Sequence, residues 1–184
     1  MTPTEDLINE HKAIKVMLSI MSKIAGDIKA NKAFYIKDIE QIVDFLKTFA
    51  DKCHHGKEEG LLFPAMEEAG IPKEGGPIGV MLIEHEQGRS HIKGMSEAFD
   101  KFKKGDRKAS VKIAENSESY IAILTQHIAK EEKILFPMAD KVLSKVTQDK
   151  LNEEFEKLEV ERIGIGKHEE FHKLLHQLKE IYLD

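Results

Sequence analysis

HHGKEEGLLFP, residues 54 to 64, sets two histidines, a lysine and two glutamates against an apolar run that closes on a proline. Further along, HIAKEEKILFP fills residues 127 to 137, and the two stretches share His, Lys, Glu, Glu, Leu, Phe and Pro at matching positions. A second pair repeats at almost the same offset. NEH ends at His11 and IEH ends at His85, 74 positions later, while His54 and His127 lie 73 apart. Each half therefore reads Glu-His, a gap, then His-x3-Glu-Glu-x3-Phe-Pro, which is the pattern of an internal duplication.

Outward from these motifs the chain is helical in character, rich in Lys, Glu, Leu, Ile and Ala, with apolar residues recurring at three and four. The pattern predicts a first helix from about Thr4, whose hydroxyl can cap it, to about Lys29. A second is expected from about Asp38 to Glu68, with Pro64 bending or ending its regular ladder. AGIPKEGGP, residues 69 to 77, is the clearest loop. A third helix should run from Pro77 to Lys104. After the turn KKGDR, with Asp106 as N-cap, a fourth should reach about Leu143. A further helical region begins near Thr147, breaks at RIGIG (162 to 166) and resumes at Lys167. The expected fold is all-α: one domain over residues 1–184, with an up-down-up-down four-helix bundle of approximate two-fold symmetry in 1–143 and an additional helical segment in 144–184.

Composition removes several function classes. Lysines and glutamates are interspersed at a net charge of -5, so no basic face invites nucleic acid or an anionic membrane. No stretch approaches the roughly 18 apolar residues of a membrane span, and the N-terminus has no apolar leader core. Cys53 is the single cysteine, which excludes an internal disulfide framework and suits a reducing compartment, so the cytoplasm is expected.

A helix turns about 100° per residue, so a His and a Glu four apart lie about 40° from each other on one face. That face is apolar. Leu61 and Ala65 fall close to the direction of His54; Tyr120, Ile123, Ile134 and Met138 fall close to that of His127. The same test sets His11 with Leu7, Leu18 and Ala25, and His85 with Met81, Ile92 and Phe99. All four helices thus point a histidine inward, two of them with a glutamate one turn on. Burying ionised Glu58 and Glu131 costs several kcal/mol each unless something positive answers them. Imidazoles with carboxylates are a ligand set for iron, manganese or zinc, and bundle interiors house two-metal carboxylate sites. The spacing here, His-x3-Glu, differs from the Glu-x2-His of ferritin-like sites.

The order His, then His-x3-Glu-Glu with Leu-Phe-Pro, then Glu-His, then the same again, over residues 7 to 138, resembles the hemerythrin-like HHE cation-binding family. The resemblance implies that His11, His54, Glu58, His85, His127 and Glu131 are the ligands, with the two glutamates bridging a pair of non-haem irons that also share an oxo or hydroxo group. It further implies a small diatomic ligand or peroxide as the binding partner, with sensing, storage or detoxification of oxygen, nitric oxide or peroxide as the function. No conventional catalytic triad or phosphate loop is visible, so a binding protein, a redox enzyme and a metal-free helical interaction protein all stay open.

Other residues bear on that site. Oxygen-carrying hemerythrins take a fifth imidazole from His-x3-His on the third helix, but here the residue four after His85 is Arg89. His91 is the nearby alternative, about 120° away from His85, and would need a helix distortion near Gly88. His55 pairs with Glu59 at the same spacing as His54 with Glu58; the internal alignment favours His54, leaving His55 solvated or behind the ligands, with an additional ligand as the other reading. Tyr120 could donate a hydrogen bond near the metals, although packing is its ordinary role. Arg89 and Lys15 correspond; a cation there could steer an anion or pair with a carboxylate, and the expected role is to reach solvent. His168, His172 and His176 form a ladder in which His168 could contribute a ligand, while Phe171, Leu174, Leu175 and Leu178 make a stripe that packs on the bundle or on a second subunit.

Overall fold

The computed structural model describes residues 1–184 and is all-α. Helix α1 spans Pro3–Lys29, and its start is fixed two residues before Thr4. Thr2 and Glu5 form a reciprocal capping box, and Pro3 occupies the first turn, where a missing N–H costs nothing. The second rod begins as α2, Ile36–Phe45, and continues through π-helical turns at Leu46–His55 and Glu58–Leu62 into α3, Phe63–Glu68. Helix α4 spans Pro77–Lys103. The fourth rod is α5, Ala109–Lys130, then a π-helical turn at Glu131–Leu135, then α6, Phe136–Val142.

Pro64 and Pro137 do not end their rods. Each lacks the N–H that an α-turn would use, and the turn before it is widened so that the N–H of Phe63 donates to the carbonyl of Glu58, and that of Phe136 to Glu131, five residues back. The same widening sits under both motif glutamates.

The four rods form the expected bundle with its internal duplication, and a seven-residue polar layer divides the interior. On one side lies the main core, with Ile14, Met17, Met21, Phe45, Phe49, Ile92, Tyr120 and Leu124. On the other lies a smaller core of Leu7, Leu62, Phe63, Met81, Leu135 and Phe136. Between them are His11, His54, His55, Glu58, His85, His127 and Glu131, each at most 2% exposed.

The C-terminal segment is two helices, α7 (Lys145–Ile163), capped by Ser144, and α8 (Lys167–Tyr182). Gly164 and Gly166 turn the chain between them at positive φ, which a side chain would resist. This segment packs on its own chain: α7 lies on the Leu46–His55 turn and α8 on α1 and α2. Phe171, Leu175 and Leu178 are part of the main core, and the Tyr182 hydroxyl donates to Asp38 Oδ2 at 2.5 Å. No helix is long and apolar enough to cross a membrane.

Candidate metal centre

The polar layer is built from outside inward. Each of four imidazoles donates from Nδ1 to a carboxylate on a neighbouring rod: His11 to Glu132 (3.1 Å), His54 to Glu10 (2.8 Å), His85 to Glu59 (2.6 Å) and His127 to Glu84 (2.9 Å). Each carboxylate is held in turn by a cation, Glu132 by Lys15, Glu10 by Lys57, Glu59 by Arg89 and Glu84 by Lys130. The eight outer residues obey the duplication. Lys15 and Arg89 therefore do not simply snorkel to solvent, as the sequence suggests; they orient the acids that orient the histidines.

With Nδ1 occupied, Nε2 of each ring turns to the centre. His11 Nε2 lies 3.1 Å from Glu131 Oε2, His127 Nε2 3.0 Å from Glu131 Oε1, and His85 Nε2 3.2 Å from Glu58 Oε2. His54 Nε2 is 3.5 Å from Glu58 Oε1. Neutral rings bound in this way present lone pairs to carboxylate lone pairs, and all four oxygens of Glu58 and Glu131 lack a hydrogen-bond donor. Acceptors facing acceptors in a buried site require a cation, either protons on the imidazoles or a metal ion.

The electrostatics carry the same message. Burial alone pushes the Glu131 carboxyl up, yet the charge of His127 and the nearness of His11 and His127 hold it well below the ordinary range. Burial pushes His85 down, but Glu58 and Glu59 override it and raise the ring to about 9. Glu10 is raised by burial and lowered more by His54 and Lys57, ending at about 2.

The six residues expected to be ligands are brought together, and a seventh joins them. Ligand atoms of His55, Glu58, His85 and His127 lie within 4.8 Å of one another, as do those of His11, His54, Glu58 and Glu131. Glu58 belongs to both groups. His55 is buried, stacks on His85 with ring centroids 3.8 Å apart, and its Nε2 has no hydrogen-bond partner. The internal alignment sets His55 aside in favour of His54, and neighbours on a regular α-helix diverge by about 100°. The Leu46–His55 turn is π-helical, carries more residues per turn, and so brings both His54 and His55 onto the inner face. The sequence carries two signals of it, the doubled histidine and the change of repeat offset from 74 at His11/His85 to 73 at His54/His127.

The other candidates lie elsewhere. His91 turns its Nδ1 to Asn116 Oδ1 at 3.1 Å and belongs to neither group; α4 runs through Gly88 as a continuous helix, so the distortion expected there is found in the second rod instead. His168 lies 4.0 Å from Glu10 Oε1, outside the inner groups, and its ligand atom is within 4.8 Å of those of Glu10 and Glu159 in a separate, outer group. Tyr120 packs in the main core against Gly88, and its hydroxyl is buried without a partner. Cys53 is buried and its thiol is pushed up to about 12 by burial, so it offers no thiolate.

The sequence profile of the Hemerythrin HHE cation binding domain matches residues 2–139. The chain belongs to this family. The match ends within α6, before α7 and α8. Proteins of Mycobacterium bovis and Mycobacterium tuberculosis, both described as uncharacterized, are 27% identical to this chain over 163 residues, covering 89% of it. The matched region spans 63% of the length of those relatives. No solved structure matches the chain.

Proposed function

We propose that this HHE protein holds two metal ions, iron in the first instance, between His11, His54, Glu58, Glu131 and His55, His85, His127, with Glu58 and Glu131 bridging, and that it binds oxygen, nitric oxide or peroxide there for sensing, storage or detoxification. The observation that carries the reading is the convergence of partnerless acceptors: Nε2 of His11 and His55 and both oxygens of Glu58 and of Glu131, all buried and none hydrogen-bonded. The donor set of imidazoles and carboxylates without a thiolate fits iron, with manganese or zinc as rivals of the same chemistry.

An iron pair, when bound, supplies an open coordination position and reversible electron exchange. The chain supplies the rest. Four Nδ1–carboxylate bonds fix ring orientation and raise imidazole basicity, and the two apolar cores exclude bulk water from the layer. Five imidazoles and the carboxylates of Glu58 and Glu131 would hold such a pair, and the pair would offer a single small ligand a place to bind.

Elemental analysis with an aerobic ultraviolet-visible spectrum tests the reading on protein made in iron-replete medium. Near two irons per chain with near-ultraviolet oxo-to-iron bands is the expected result. A metal-free protein that refuses iron returns the layer to a structural role. Redox turnover by the same donor set is the second reading. Peroxide or nitric oxide consumed beyond one equivalent per site distinguishes it from reversible binding.

A further inference from the structure

Three of the four outer cations are partly open to solvent and one is sealed. The Lys130 side chain is 38% exposed, whereas its duplicate Lys57 is 2% exposed. Lys57 is sealed by residues outside the matched HHE region. Glu159 of α7 stands 3.5 Å from its Nζ, and the Phe155 ring centroid, also on α7, lies 5.4 Å from it. From α8, His168 packs on Phe49 and reaches to 4.0 Å from Glu10. Within this enclosure Lys57 Nζ donates to Glu10 Oε1 at 2.7 Å and to Asp6 at 2.9 Å, while the other oxygen of Glu10 accepts from His54.

On the metal reading above, we infer that the α7–α8 hairpin is a working part of the metal centre: by burying Lys57 it locks Glu10 onto His54 and so governs how firmly the His11/His54 position keeps its metal. Lys57 is a positioning residue, acting through Glu10 and touching no metal. A buried carboxylate whose counter-charge is removed cannot be answered by water, so the penalty falls on His54; at Glu84 water can replace Lys130. Linkage makes the effect reciprocal. Metal at this position tightens the hairpin, and whatever lifts the hairpin loosens this metal before the other.

The test uses the full-length, metal-loaded protein and times metal release to a chelator. Lys57→Met is expected to release one metal about 10–100-fold faster, the range for losing an outer partner of a ligand, with the other metal at its original rate. Lys57→Arg should recover most of the loss, and Lys130→Met should change release by less than about 3-fold. Amide exchange in α7 and α8 should slow on metal loading. Glu159→Gln leaves Lys57 and Glu10 in place and should act in the same direction by about 3-fold, which keeps the inference exposed even if Lys57→Met does not fold. Equal release from Lys57→Met and Lys130→Met, or hairpin exchange indifferent to metal, overturns the coupling while leaving the metal centre standing. An unmodified chain that takes up no metal overturns the metal reading itself.

Discussion

The two halves of the bundle carry the same ligand frame on different packing. In the second half α4 and α5 lie directly against one another, and α4 allows it with small residues: a Cβ at Gly88 would meet the Tyr120 ring at 3.4 Å, and one at Gly94 would meet the Asn116 amide at 2.4 Å. The corresponding residues of α1 are Ile14, Ile20 and Ile24, where α4 has Gly88, Gly94 and Ala98. Bulk at those positions keeps α1 and α2 apart, and the stripe of α8 fills the gap. Duplication thus preserved the paired histidines and glutamates and their outer partners, while the wall around them diverged into one closed helical pair and one pair closed by a third helix.

Removing the filler gives the largest effect. Phe171→Ala should cost about 3–5 kcal/mol, as for other buried aromatic truncations, because the buried ring packs edge-on to Phe45 and Phe49. Denaturant unfolding of the metal-free chain measures it. A cost below about 1 kcal/mol would show that α1 and α2 close on each other unaided, and the contrast between the halves would dissolve.

The second contrast is chemical. His55 corresponds to Ile128, so His55→Ile makes the halves alike. The substituted chain should lose about 10–100-fold in affinity at the position built from His85 and His127, read by metal titration, while His91→Ala leaves metal content and spectrum unchanged. If His55→Ile binds both metals as tightly as before, the fifth imidazole is dispensable.

How far the sequence reveals this molecule depends on which physical signal a residue leaves. Helices, duplication and the six paired histidines and glutamates are legible because spacing on a regular helix determines which side chains share a face. Widened turns break that rule, and the burial of His55 beside His54 is hidden both by this and by an internal alignment that matches it to Ile128. The roles of Lys15 and Arg89 are equally hidden, since a lysine or arginine one turn from a ligand reads as surface until the partner glutamate on another rod is located. The sequence also leaves open whether the C-terminal stripe covers this chain or a second copy, because apolar periodicity identifies a face and never its partner.

A smaller effect probes the close side. Gly88→Ile installs in α4 the residue that α1 carries at Ile14, and it should cost about 1–3 kcal/mol by forcing Tyr120 and Leu124 aside. Thermal unfolding reports it. A neutral outcome would mean that small residues permit the α4–α5 contact without being required for it.

The gentlest test leaves the sequence intact and varies pH, because protons and metal compete to satisfy the same acceptors. In the metal-free chain His85 is raised to about 9 from an ordinary 6.5, so its stabilising contribution is complete below 6.5 and is lost as pH climbs through 9. Glu10, held at about 2 against an ordinary 4.5, contributes above 4.5 and loses that contribution only as pH falls toward 2. Metal demands neutral imidazoles, so affinity for it should rise across the window in which His85 gives up its proton. The unfolding midpoint of the metal-free protein should therefore fall between pH 6.5 and 9 while the added stability from a fixed metal concentration grows. Should the metal-free midpoint rise instead, the folded chain binds fewer protons than the unfolded one across that window, and imidazolium is not what answers Glu58 and Glu131 when no metal is bound.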